Sequence, residues 1–136
     1  MLKWQDAQVK FVESFRKYGK AAFVHEFVDT AQIKGLHGNK AVMVEQPSDY
    51  LVVLNGQVFF AEVKSCSNAT SFPRSALRKS QTKTILQLIP AGGLYFVYIR
   101  HETNGQWYKV PGQFFVQDLS KKSWKWEELA SFKVTL

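Results

Sequence analysis

The sequence predicts an α/β fold with a mixed central sheet flanked by helices. Apolar residues recur at helical spacing in two stretches, 5–18 and 75–89. Apolar runs of strand length lie between and after them, two of them joined by Asn55-Gly56, the turn dipeptide of a β-hairpin. The resulting order of helix, three strands, helix and strand is that of an α/β domain.

The elements follow from local chemistry. Ala7, Phe11, Phe15 and Tyr18 form the apolar stripe of the first helix, and Gly19 closes it. Residues 21–28 read as a strand, 32–39 as a polar turn region, and 41–45 as a strand or the lead-in to one. The hairpin runs through Tyr50-Leu51-Val52-Val53-Leu54, turns at Asn55-Gly56, and returns through Gln57-Val58-Phe59-Phe60-Ala61. Pro73 and Arg74 stand near the start of the second helix, and Pro90-Ala91-Gly92-Gly93 ends it. Residues 94–101 form a buried strand, 107–115 a further strand and turn, and 124–129 a short helix. No internal repeat, low-complexity tract or linker interrupts the chain, so a single domain over residues 1–136 is expected.

Composition bounds the function. A hydrophobic share of 46% excludes a disordered chain, and a formal charge of +7 favours a polyanionic partner. Charge alone does not separate DNA from RNA or an acidic membrane surface. No apolar run approaches the ~20 residues of a membrane span. The N-terminus carries no signal-peptide core, so a cytoplasmic protein is expected. The one cysteine, Cys66, cannot form an internal disulfide, which fits a reducing compartment. It reads as a small filler at a strand end rather than a nucleophile. His25, His37 and His101 lack zinc-ligand spacing, and no Gly-rich phosphate loop is present.

The chemistry concentrates at Pro47-Ser48-Asp49 and Glu62-Val63-Lys64. Hairpin pairing brings the start of its first strand beside the end of its second, so Asp49 faces Glu62 and Lys64. Side chains alternate along a strand, which puts Phe60, Glu62 and Lys64 on one face and Phe59, Ala61 and Val63 on the other. Two carboxylates and an ammonium at one end of a hairpin suit a hard divalent cation, Mg²⁺ or Mn²⁺, which one or two carboxylates usually hold. Such an ion is what water needs to cut a phosphodiester. The plain alternative is a solvent-facing hairpin with an Asp-capped turn. Apolar residues crowd these charges, and buried charges need a reason.

Pro47-Ser48-Asp49 … Glu62-Val63-Lys64 resembles the signature of PD-(D/E)xK nucleases, which have a restriction-endonuclease-like fold. With Ser65, Ser71-Phe72-Pro73 and Gln81, the stretch over residues 47–100 resembles the RecU-type Holliday junction resolvases. The resemblance implies a magnesium- or manganese-dependent endodeoxyribonuclease that resolves four-way DNA junctions; two symmetric nicks are beyond one site of this size, so a homodimer is expected. Asp49 and Glu62 would then hold the metal with the carbonyl of Val63. Lys64 would assist the attacking water, Gln81 would support the site, and Glu13 on the first helix would complete it. A nuclease of this superfamily with another DNA substrate and a basic binding module that does not cut are the alternatives.

The supporting residues also have plainer readings. Glu13 lies on the flank of the first helix's buried stripe, where pairing with Arg16 or Lys17 competes with a metal role; Glu26 and Glu45 are weaker competitors. Leu77, Gln81, Ile85 and Leu88 share a stripe, so an amide interrupts an apolar face and needs polar partners. Arg74, Arg78, Lys79 and Lys83 decorate the same helix, as phosphate contacts or as an ordinary solvated face. Lys34 and Lys40 flank a glycine-containing loop of similar promise. In 121–126 cations alternate with Trp124 and Trp126, a pattern of single-strand binders that also suits core or dimer packing. With 15% aromatic residues, Phe114, Phe115, Trp124 and Trp126 are candidates for an exposed dimer patch.

Overall fold

The computed structural model describes residues 1–27 and 45–136. Expectations for 32–39, most of 41–45, Lys34 and Lys40 lie outside the described residues.

Helix α1 (Lys3–Glu13) leads through a 3₁₀ stretch (Arg16–Ala21) into strand β1 (Ala22–Glu26). The first helix therefore ends five residues before the sequence suggested, and the chain tightens into 3₁₀ turns ahead of Gly19, which sits at φ 55°. Strands β2 (Tyr50–Leu54) and β3 (Gln57–Cys66) form the expected hairpin, with Asn55 and Gly56 both at positive φ. Positive φ at both central residues is what a type I′ turn requires.

After β3 the chain departs from expectation. Ser71-Phe72-Pro73 is strand β4, not the opening of a helix, and it pairs antiparallel with β7 (Ser123–Lys125). Arg74–Ala76 is a short 3₁₀ turn, and Leu77 and Arg78 are extended. Helix α2 proper is Lys79–Leu88. Strand β5 (Tyr95–His101) and strand β6 (Gln106–Pro111) follow, then a short helix α3 (Gly112–Val116). The predicted helix at 124–129 divides into β7 and a 3₁₀ stretch (Trp126–Phe132), and β8 (Lys133–Val134) ends the chain.

Among the described residues six strands form one sheet in the order β1-β2-β3-β5-β6-β8. Only the β3–β5 pair is parallel, because α2 carries the chain back over the sheet between them. The sheet is mixed, as expected, with a buried layer on each side. On one side α1 places Ala7, Phe11 and Phe15 against Tyr50, Val52, Phe59, Ala61, Val63 and Tyr98. Phe11 is fully buried and meets the rings of Phe15, Tyr50 and Tyr98 at 4.7–5.1 Å. A buried phenylalanine contributes ~2–3 kcal/mol, enough to fix the helix on this face. An Arg100–Asp6 ion pair at 2.8 Å ties the start of α1 to β5.

The other layer packs Ile85 of α2 with Phe72, Val97, Ile99, Phe115, Trp124, Trp126 and Leu129. The C-terminal aromatics are thus core, not an exposed patch: Phe115, Trp124 and Trp126 are buried and Phe114 is partly so. Pairing of β7 with β4 draws Trp124 inward, and the Trp126 indole N–H donates to the Asn68 carbonyl at 2.9 Å. Cys66 is buried too, and burial pushes its thiol pKa up, in keeping with a filler.

Candidate active site

Tyr50 pairs with Ala61, so β2 begins where β3 still has five residues to run. Asp49 therefore lies just off the end of β2, level with Glu62 and Val63. Its Oδ2 accepts a 2.9 Å hydrogen bond from the Val63 N–H, and its backbone carbonyl accepts one from Phe27 at 2.9 Å. Strand alternation turns Val63 to the α1 side and leaves Glu62 beneath α2. Glu62 is 1% exposed.

Gln81, fully buried in α2, makes two bonds that locate it. Its Nε2 donates to Glu62 Oε2 at 2.6 Å, and its Oε1 accepts from the Arg78 N–H at 2.9 Å. The second bond caps the helix N-terminus, where backbone donors have no intrahelical partner. Helix capping and support of the carboxylate thus meet in one amide. Lys64 Nζ stands 3.9 Å from Glu62 Oε1, with the side chain 18% exposed. The ammonium is therefore at the mouth of the site and Glu62 at its floor.

Burial raises the Glu62 pKa well above the ordinary carboxylate value, and neighbouring Asp49 raises it further; Lys64 and Arg78 pull it down. A divalent cation in place of a proton would remove this tension. The donor set of two facing carboxylates fits a hard cation such as Mg²⁺. Among the described residues no group of three His, Cys, Asp or Glu side chains gathers as a metal cluster. Glu13 is accordingly not brought to Asp49 and Glu62. It is the last residue of α1, exposed, two positions beyond the buried Phe11 and so turned away from the stripe. It lines an open groove of about 590 Å³ with Gln8, Arg16, Glu26 and Tyr50, beside the site.

The basic residues divide. Arg78, Lys79 and Lys83 are exposed at the start of α2, next to the carboxylates. Arg74 is not on that helix. Its guanidinium donates to the carbonyls of Lys121, Phe115 and Asp118 at 2.5–2.9 Å and stacks 4.7 Å from the Trp124 ring. With Nε and Nη2 so engaged, Arg74 clamps the 3₁₀ turn to α3 and the loop before β7. The sequence reading gave Ser48 no role of its own within the motif and missed Tyr95. Buried Ser48 donates to the Tyr50 carbonyl at 2.7 Å, and Tyr95 OH donates to the Pro47 carbonyl at 2.7 Å.

Sheet and site together define the class: a restriction-endonuclease-like fold carrying acid, acid and lysine in PD-(D/E)xK order. The chain belongs to the Recombination protein U (RecU) family, whose model matches residues 13–135. That span extends well beyond the residues that carry the motif. The fold is similar to that of Archaeoglobus fulgidus Hjc, a Holliday junction resolvase from an archaeal hyperthermophile. The TM-score is 0.60 at 11% identity, over 93% of this chain and 92% of that one. No curated protein matches the chain in sequence.

Proposed function

We propose that this chain is a Holliday junction resolvase, a divalent-metal-dependent endodeoxyribonuclease that nicks four-way DNA junctions symmetrically. The observation that carries the reading is a buried Glu62, bonded by Gln81 at 2.6 Å, with Asp49 and Lys64 around it. No packing purpose explains two carboxylates and a buried amide at one strand end, since burying them costs free energy. RecU family membership supports the same reading.

In the proposed mechanism Asp49 and Glu62 would hold Mg²⁺ or Mn²⁺, and the carbonyl of Val63 would be a further oxygen donor. When bound, such a cation supplies Lewis acidity and offsets charge on the phosphate. Gln81 keeps Glu62 aimed by donating to Oε2. Lys64, at the mouth, orients the attacking water and stabilises negative charge building on the scissile phosphate. Arg78, Lys79 and Lys83 hold the backbone beside it. Glu13, outside the carboxylate pair, lines the adjoining groove.

Two symmetric nicks need two sites, so the working unit is a homodimer. The exposed apolar surface that supports this is on the sheet: Phe23 is 60% and Val58 52% exposed, on one cross-strand row through Val53.

Asp49→Asn tests the site. Junction cleavage is expected to fall by more than the ~100-fold typical of outer-shell partners, with junction affinity retained because the basic contacts remain. Wild-type cleavage by Asp49→Asn would remove Asp49 from the mechanism.

A further inference from the structure

The Pro47-Ser48-Asp49 stretch lies outside the strand ladder, yet it must hold a carboxylate against another carboxylate. The two repel across the gap between β2 and β3. Asp49 is retained by its own Val63 and Phe27 bonds, and Pro47 has no N–H to contribute. One further tether acts on this stretch from a distance. Tyr95, on β5, pairs in register with Phe60 of β3, and its buried ring lies 6.3 Å from the Phe60 ring. Its side chain reaches across the catalytic strand, and the hydroxyl donates to the Pro47 carbonyl at 2.7 Å. Burial, then the charges of Glu62 and Asp49, push the phenol pKa far up, so the hydroxyl stays a donor at working pH.

We infer that Tyr95 is a positioning residue for metal binding: its hydroxyl pins the turn at Pro47 and keeps the Asp49 carboxylate in place against repulsion from Glu62. The role rests on the reading of Asp49 and Glu62 as the metal ligands. Tyr95 touches neither DNA nor metal in this scheme. Its effect is to lower the reorganisation that the cation would otherwise have to drive. Ser48 shapes the same turn locally through the Tyr50 carbonyl, whereas Tyr95 ties it to the far side of β3.

Tyr95→Phe keeps the ring and removes the tether. Three quantities are measured on the full-length chain: Mn²⁺ affinity without DNA, by electron paramagnetic resonance titration; kcat and KM on a four-way junction across metal concentrations; and the melting temperature in a chelator. Mn²⁺ affinity is expected to drop about 10–100-fold, as for outer-shell partners. The cleavage rate should fall at limiting metal and recover at saturating Mn²⁺, with KM for the junction unchanged. Unchanged Mn²⁺ affinity in Tyr95→Phe, or a deficit in KM alone, would overturn the role. A loss of melting temperature without a change in Mn²⁺ affinity would also overturn it, marking Tyr95 as structural only. Glu62→Gln separates the two levels of the inference. If Glu62→Gln binds Mn²⁺ as tightly as the wild type does, the site reading itself fails and the role of Tyr95 with it.

Discussion

Glu62 sits where a carboxylate is costly: 1% exposed, with Asp49 beside it. Its raised pKa means that the folded chain binds this proton more tightly than the unfolded chain does. The stability so gained is complete below the unfolded value of about 4.5 and is lost as pH rises through the higher folded value. At pH 8 without metal, Glu62→Gln should therefore melt at a higher temperature than the wild type while cutting nothing. A lower melting temperature in the same scan would show that the anion is not under strain. His101 works in the opposite sense. It is buried, stacked 4.0 Å from Trp126, and among the described residues neither ring nitrogen finds a partner. Burial lowers its pKa below the ordinary 6.5, so its contribution is present above pH 6.5 and is lost as pH falls from there toward the folded value. His101→Phe should flatten the drop in melting temperature between about pH 7 and 5; an unchanged drop would place the acid sensitivity elsewhere. At this scale the sequence was most legible for Asp49, Glu62, Lys64 and Gln81, because strand alternation and helical spacing decide which faces they occupy. Tyr95 was not legible: its partner Pro47 is distant in sequence, and nothing local marks the contact.

Among the elements, helix α2 would join catalysis to binding on the proposed reading. Its first turn buries Gln81 and exposes Arg78, Lys79 and Lys83. Replacing these three cations with alanine should weaken junction affinity and flatten its salt dependence. Each lost phosphate contact removes about 0.9 from the slope of log K against log salt. An unchanged slope from filter binding at several salt concentrations would mean that the helix does not meet the backbone. Arg74, which the sequence suggested for the same face, should leave the slope untouched and cost stability instead. The reason for that error is physical. Apolar spacing from Leu77 onward looked continuous with residue 75, but Leu77 and Arg78 are extended and Gln81 caps the helix three residues on. The hairpin, by contrast, was legible almost to the residue, because Asn55-Gly56 sets both turn and register. The β4–β7 pair could not be read, since three-residue strands far apart in sequence carry no periodicity.

For the whole molecule, the mixed sheet followed from the order of elements, whereas the position of the exposed apolar surface did not. Aromatic content suggested the C-terminal residues; packing buries those and leaves Phe23 and Val58 exposed instead. Light scattering of the wild type at micromolar concentration should give twice the chain mass. Phe23→Glu combined with Val58→Glu should give the single mass and single nicks where the dimer makes paired ones. A wild type that stays monomeric on a junction would contradict the paired mechanism and leave the Asp49–Glu62 chemistry standing. Among the described residues no helix is long and apolar enough to cross a membrane, and the +7 charge fits a nucleic-acid substrate. The most direct measurement compares a four-way junction with linear duplex of the same sequence, each incubated with the chain and Mg²⁺. Symmetric paired nicks on the junction, little cutting of the duplex, and no cutting of either by Glu62→Gln are the predicted result. Equal cutting of duplex and junction, or junction cleavage that survives Glu62→Gln, would contradict the account.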